Sequence, residues 1–415
     1  MALTNNIIHN QLTWFNSLHK TYQNGFIFLL VLSIASGVAY LVYYRLLDHR
    51  RLANIRTQFS VASAHKEKQA LLLAGRSKNT RVGQCLQGRK DDNWKIAHHP
   101  MIPNSIFISV ASYRDDECKD TVFDLFDKAK NPTNIYVGVV QQNKEKGEDC
   151  FDKCEECSKR KESGHIRVKN FSFMEAKGPT FARYHCSKLW RGEEFYLQID
   201  SHIKFEKNWD ETLLNEIKST GDKKAVIGCY PPTEKQMKYI KKDGFKTMIS
   251  MCGKEFDKEG MPSMQAALIP VGDRKQPVPV HLMSAGLICF PGRMLYEVPY
   301  DPFLSYLFFG EELLFSTRLW TAGYNMYAPL KSFCSHHYGR EGKPKYWTDH
   351  PEAEGCRKHA LQRAKYILGV AEKKHVHPDY LIDVEKYGMG KKRTLEQYFK
   401  AAGIDMKRRT IKNKC

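Results

Sequence analysis

Asp200 and His202 stand two residues apart at the end of an apolar run, Phe195-Tyr-Leu-Gln-Ile199. Tyr196, Leu197 and Ile199 favour a strand, and if the extended backbone persists, the carboxylate and the imidazole leave on the same side. One oxygen and one nitrogen donor so placed suit a divalent cation, Mn²⁺ or Mg²⁺. In open α/β sheets ligands collect just beyond the carboxyl ends of strands, which is where this pair would sit. Asp-x-His alone is a weak signal, because most such pairs are turns or surface polar groups. Two later clusters strengthen it. Glu311 and Glu312 head a helical pattern that Gly323 ends; acids there complement the helix dipole by about 0.3–1 kcal/mol each, or face a reacting centre. Cys334-Ser-His-His-Tyr-Gly-Arg340 offers the adjacent imidazoles of His336 and His337.

The elements that must position these groups follow from periodicity. Ser105-Ile-Phe-Ile-Ser-Val-Ala111 is a buried-type strand running into Ser112-Tyr-Arg-Asp-Asp116. A helix follows with Val122, Leu125, Phe126 and Ala129 on one face, stopped by Asn131-Pro132. Ile135 to Val140 is the next strand, so the unit reads βαβ and predicts a parallel sheet. His165 to Lys169 supplies a further strand. Gly178-Pro179 opens a helix from Thr180 to Trp190, and Trp209 to Ile217 is amphipathic. Ala225 to Tyr230 and His281 to Phe290 read as strands, with Gly286 allowing a ligand close approach. The lysine-rich stretch 233–279 shows little periodicity and reads as a loop, either a lid facing an acceptor or a solvated insertion.

At 415 residues, with 42% hydrophobic and 27% charged residues, the chain has ample length for a real core. Its net charge of +19 favours an anionic partner, such as nucleotide phosphates, or a merely soluble basic surface. No zinc-finger, RNA-recognition or helix-turn-helix signature accompanies it, which argues against nucleic acid. Cys150, Cys154 and Cys157 crowd one loop; they could bind zinc with Cys186 or His165, form disulfides, or stay reduced.

Five segments emerge: a polar stretch 1–24, an uncharged run 25–44, a basic stalk 45–100, a main domain 101–345, and a basic extension 346–415 packing on that domain. The run 25–44 is long enough for one transmembrane anchor and lacks the exit of a cleaved signal peptide. Arg45, Arg50, Arg51 and Arg56 follow it, which favours a cytosolic main domain; a Golgi-type or other endomembrane enzyme of the usual layout would carry the opposite bias.

The blocks IFISVASYRDDE, FARYHCSKLWRGEEFYLQIDSH, FGEELLFSTRLWTAGYNMYAP, SFCSHHYGR and YGMGKKRTLEQYFKAAGID together resemble the family of UDP-GlcNAc:polypeptide α-N-acetylglucosaminyltransferases, over roughly 104–405. That family includes cytosolic enzymes acting on hydroxyproline. A looser likeness is to the polypeptide GalNAc-transferases. Both imply a GT-A fold, a nucleotide-binding and mostly parallel sheet flanked by helices, here preceded by one transmembrane helix. They also imply a UDP-sugar donor, Mn²⁺, a protein hydroxyl as acceptor, and retention at the anomeric carbon.

Carried over residue by residue, the resemblance makes Asp200 and His202 metal ligands. His337 is chosen as the third by His-x-x-Arg spacing, with Arg340 on the pyrophosphate and His336 as competitor. Ser109, Tyr113, Arg114 and Asp115 would hold uridine or its ribose, Arg183 would face the nucleotide, and Ala285 and Gly286 would line the sugar pocket. Where the family tends to have Cys-Trp, this chain has Thr180-Phe181, a departure that leaves Arg183 in place. Glu311, with Asp200, would serve the reacting centre. The rivals are the same machinery with UDP-GalNAc, UDP-galactose or UDP-glucose, and a non-catalytic membrane-bound sugar or nucleotide binder.

Overall fold

The computed structural model describes residues 85–86 and 97–414, apart from 145–147, 152–153 and 340. The expected membrane span at 25–44 lies outside the described residues, as do most of the stalk and Arg340. Among the described residues no helix is long and apolar enough to cross a membrane.

The chain order is β1 (Ile102–Tyr113), α1 (Cys118–Asp127), β2 (Ile135–Asn143), α2 (Glu155–Glu162), β3 (Ile166–Ser172), α3 (Pro179–Ser187) and β4 (Glu193–Asp200). Next come β5 (Ile203–Phe205), α4 (Trp209–Ser219), β6 (Ala225–Gly228), α5 (Glu234–Lys242), β7 (Thr247–Phe256) and β8 (Pro262–Pro270). The later part holds β9 (Val278–Val280), β10 (Leu287–Pro291), α6 (Met294–Glu297), α7 (Glu311–Thr321), β11 (Asn325–Ala328), β12 (Cys334–His336), α8 (Tyr346–Asp349) and α9 (Glu354–Ile367).

Eight strands form one sheet in the order β3-β2-β1-β4-β10-β6-β11-β9. β1, β2, β3 and β4 pair in parallel, as the βαβ reading requires. β10 runs antiparallel to both β4 and β6, and β9 antiparallel to β11, so the sheet is mixed on the far side of β4. The reason is local: the chain reaches β10 from the β7–β8 hairpin and β9 instead of through a helical crossover. β10 is also shorter than the expected 281–290 strand.

β1 is a continuous apolar run because helices and strands cover it on every side; Ser105 to Val110 are all buried. Phe107 packs beside Gly138 of β2 so closely that a Cβ there would lie 2.2 Å from its ring. Tyr196 of β4 stacks on Phe290 of β10 with centroids 5.0 Å apart.

The stretch 233–279 is not a loop. α5 is closed by a capping box of Thr233 and Gln236, and β7 and β8 form an antiparallel hairpin. Its lysines sit on exposed faces, which hid the buried Met237, Ile240, Met248 and Ile249 from a composition-based reading. Residues 354–402 pack on the sheet domain. Arg363 of α9 is buried against Asp301 at 2.7 Å and donates to the carbonyls of Tyr380 and Ile382. The cysteine loop is disulfide-bonded: Cys118–Cys150 and Cys154–Cys157 pair, and Cys85–Cys356 joins residue 85 to α9.

Candidate active site

β4 ends on Asp200, and β5 resumes at Ile203, leaving Ser201 and His202 in the turn between them. Thr121 of α1 pins that turn, donating to the carbonyls of Ser201 and Ile203 and accepting from the Ile203 amide at 3.0 Å. Behind it, Asp115 is 1% exposed, too buried to meet a ligand. Its carboxylate accepts from Ser201 Oγ at 2.5 Å, His202 Nδ1 at 2.8 Å and the Glu117 amide at 3.1 Å. With Nδ1 donating to Asp115, His202 keeps the lone pair of Nε2 for something else.

The third group arrives by strand pairing. β12 runs antiparallel to β5 with His336 opposite Ile203, which carries the His336 ring to 4.6 Å from that of His202, centroid to centroid. His336 Nε2 lies 3.2 Å from Asp200 Oδ2. One donor atom from each of Asp200, His202 and His336 falls within 4.8 Å of the other two. His337 lines the same cavity but lies outside this donor group, its ring half-exposed and 2.9 Å from Glu117. Successive side chains of an extended chain point to opposite faces, so only one of two adjacent histidines can join the cluster. The spacing-based choice of His337 is therefore corrected: the structure brings His336.

Arg183 rises from α3 beneath this group. Gly178, at φ 83°, and Pro179 at the first turn start that helix. The buried guanidinium meets both Glu311 oxygens at 2.7 and 2.6 Å and Asp200 Oδ1 at 3.2 Å. Burial alone would lower the Arg183 pKa, but the Glu311 and Asp200 carboxylates hold it raised. Burial likewise opposes ionisation of Asp200, and His336 and Arg183 outweigh it, keeping that carboxyl well below the usual range.

Glu311 and Glu312 open α7 after Gly310, at φ 90°. They face different partners. Glu312 accepts from the Ala285 amide at 2.8 Å and the Tyr230 hydroxyl at 2.5 Å. Burial pushes its carboxyl up to about 7, against the pull of those two donors. Ala285 and Gly286 lead into β10 beside Asp200. A Cβ on Gly286 would lie 2.9 Å from Asp200 Oδ2, so a larger residue there would displace that carboxylate.

Asp200, His202, His336, Arg183, Glu311, Glu312, Tyr230, Ala285 and Gly286 line one cavity of about 510 Å³, which Asp115 and Thr121 do not reach. Tyr113 lines it too, its hydroxyl donating to Asp349 at 2.7 Å. Ser109 and Arg114 do not. Ser109 is fully buried in mid-strand, because β1 continues four residues past it, roughly 13 Å. Arg114 is turned to Glu148 and Asp349, at 3.1 and 2.9 Å. The uridine role expected of Ser109, Arg114 and Asp115 thus has no direct access to the cavity.

The donor set fits a divalent cation: one carboxylate oxygen and two imidazole nitrogens converge, with one imidazole oriented by a buried carboxylate. His336 Nδ1 is buried without a partner among the described residues. Glu312, Tyr230 and the orienting role of Asp115 were missed from sequence. The bend after β1 reveals Asp115, and the contacts of Tyr230 and the Ala285 amide with α7 reveal Glu312.

Solved structures similar to this chain include GalNAc-T7 with UDP, GalNAc and Mn²⁺, at 14% identity and TM-score 0.47, covering 71% of this chain. This chain spans only 56% of that one. Another is the mannosyltransferase PcManGT of Pyrobaculum calidifontis with GDP-Man and Mn²⁺, at 14% identity and TM-score 0.37, covering 79% of each chain. S. aureus TarS 1–349 in complex with UDP-GlcNAc matches at 16% identity and TM-score 0.38, covering 68% of this chain and 73% of that one. No curated protein sequence matches. Over residues 105–164 and 150–408, however, the sequence matches the profile of the family described as Glycosyltransferase (GlcNAc), and the chain is a member of that glycosyltransferase family.

Proposed function

We propose that this glycosyltransferase moves GlcNAc from UDP-GlcNAc to a hydroxyl of a polypeptide, with the anomeric configuration kept, in a GT-A type site. The observation that carries this reading is the convergence of Asp200, His202 and His336 at the carboxyl end of β4, inside a cavity of about 510 Å³.

Asp200, His202 and His336 would hold Mn²⁺ or Mg²⁺. Bound there, the cation would neutralise charge on the departing diphosphate. Asp115 fixes the His202 ring, and Arg183 fixes Asp200 while its own charge is balanced by Glu311. Tyr113 and Ala182 offer the nucleotide an apolar wall, and Gly286 lets the sugar approach the Asp200 carboxylate. Glu312, held by Tyr230 and the Ala285 amide, reads a hydroxyl of the sugar.

Both glutamates of the cavity are engaged, Glu311 by Arg183 and Glu312 by Tyr230, which favours a front-face displacement over a covalent one. In that route the bond from the anomeric carbon to the phosphate oxygen breaks and a bond to the acceptor oxygen forms on the same face. The acceptor's proton passes to the leaving phosphate.

The disulfides Cys85–Cys356, Cys118–Cys150 and Cys154–Cys157 favour an oxidising compartment for the catalytic unit, against the lean of the arginines after residue 44. The reading therefore places it on the lumenal side of an endomembrane, anchored by 25–44. Protease protection in sealed vesicles tests that placement.

UDP release by the full-length protein over a panel of UDP-sugars, with Mn²⁺ or EDTA, tests the reaction. Turnover of UDP-GlcNAc, lost with EDTA and with Asp200→Ala, supports it. Preference for UDP-GalNAc, UDP-galactose or UDP-glucose would reassign the donor, and no Mn²⁺-dependent turnover or nucleotide binding would make the protein a binder.

A further inference from the structure

Large apolar side chains are scarce on this surface. Among the described residues eleven are exposed, and four of them, Phe308, Phe309, Tyr338 and Trp347, line the mouth of the cavity described above. Phe309 is 63% exposed and Trp347 is 55% exposed. Aromatic surface left in water around a reaction cavity marks a contact site for a ligand. The floor of the cavity is already committed to donor chemistry; the rim is not.

The rim has a shape. Phe308 meets Phe309 at 86° with centroids 5.1 Å apart, and Trp347 at 65° and 5.4 Å. Rings packed edge to face form a ridge with notches, which accept aliphatic or small-ring side chains. A sugar ring is better served by one open, flat face. On the other side of Tyr230, Pro231 and Tyr338 lies a second hollow of about 240 Å³, lined also by Ile249, Ala266 and Gln236. The two hollows share that three-residue wall. An extended peptide alternates its side chains, so it can seat neighbours in both while one hydroxyl residue points to the floor.

Charge agrees with this. At the rim, the Asp257 carboxylate is turned into its own hairpin, accepting from the Glu259 and Met261 amides. Lys345 and the half-exposed His337 are the basic side chains there among the described residues. Those described residues thus offer a basic segment one carboxylate, Asp257, whose Oδ1 is already engaged.

We propose that this rim is the acceptor subsite, and that it selects a hydroxyl residue in an extended peptide flanked by uncharged apolar side chains. This rests on the polypeptide-transfer reading above and names the class of sequence that reading leaves open.

The test uses short synthetic peptides with one central threonine, flanked by Leu and Pro, by Lys, or by Asp, together with a free oligosaccharide acceptor. Full-length protein, Phe309→Ala and Trp347→Ala are assayed with UDP-GlcNAc and Mn²⁺. The apolar-flanked peptide should be the preferred acceptor, and each variant should raise its KM about tenfold or more with little change in kcat. Both side chains are exposed, so folding is not at stake; a thermal melt checks it. Equal use of all peptides, or variants that handle the apolar peptide as the parent does, overturns the proposal. Transfer to the oligosaccharide alone replaces the peptide with a glycan. Absence of UDP release with any acceptor or with water sinks the transferase reading itself, and the rim proposal with it.

Discussion

Asp115 Oδ2 lies 2.8 Å from His202 Nδ1, and the same oxygen takes the Ser201 hydroxyl, so one buried carboxylate sets the whole turn that follows β4. The turn is further held from α1, whose first residue, Cys118, is disulfide-bonded to Cys150. Asp115→Asn keeps the shape but loses the charge-assisted bond. Mn²⁺ affinity, measured by titration calorimetry, should weaken about 10–100-fold. An unchanged affinity would show that His202 needs no such partner.

Adjacent histidines give a direct comparison. His336→Ala should lower Mn²⁺-dependent UDP release by more than about 100-fold, since loss of a ligand exceeds loss of its outer partner. His337→Ala removes only a half-exposed contact to Glu117 and should stay within about threefold. The reverse order in a rate assay would restore His337 to the cluster.

Arg183 balances two carboxylates in a buried place. Arg183→Met leaves Glu311 without its cation and Asp200 with His336 alone, which should destabilise the fold by about 3–5 kcal/mol in urea unfolding. Adding Glu311→Gln should recover part of that loss, because one buried charge then goes as well. No recovery would mean that Arg183 contributes by packing alone.

Glu312 predicts a pH dependence of stability. Its folded pKa is raised from 4.5 to about 7, chiefly by burial, with Glu311 adding to the rise and Tyr230, the Ala285 amide and Arg183 opposing it. Between those values the folded state keeps a proton that the unfolded state has lost. Stability therefore falls as pH rises from about 4.5 to about 7, by at most about 3 kcal/mol, and levels off above. Glu312→Gln should remove this slope from a series of thermal melts. A slope that survives the substitution belongs to another group.

Reduction should reach the fold through Cys85–Cys356, which closes a loop across 271 positions of sequence. Loss of a disulfide from a folded domain costs about 2–5 kcal/mol, so Cys85→Ser/Cys356→Ser should melt measurably lower than the parent. Peptide mapping without reduction should recover the Cys85–Cys356, Cys118–Cys150 and Cys154–Cys157 pairs.

The first half of the sheet could be read from the chain because β1, β2 and β4 are apolar runs separated by a helix or a turn, each a local signal. Asp200, His202 and Gly286 were legible for the same reason, each sitting at the end or start of such a run, whereas Arg183 lies in mid-helix and came only from the family resemblance. His336 was not, since its choice over His337 depends on a three-residue ladder between β5 and β12, more than a hundred residues apart. Nor was the antiparallel β10, whose direction is set by where the β7–β8 hairpin delivers the chain. Asp115 looked like a nucleotide contact because it follows a strand end; the bend after Tyr113, with Arg114 at φ 45°, turns it inward instead. Glu312 lost to Glu311 because neighbouring acids on a helix start cannot be told apart until Tyr230 and Ala285 are in place.

The Cys85–Cys356 bridge also decides where mechanical load enters the molecule. A pull on the polypeptide ahead of residue 85 is handed sideways to α9 before it can reach β1. The strand that ends beside the reaction cavity is thereby shielded from tension.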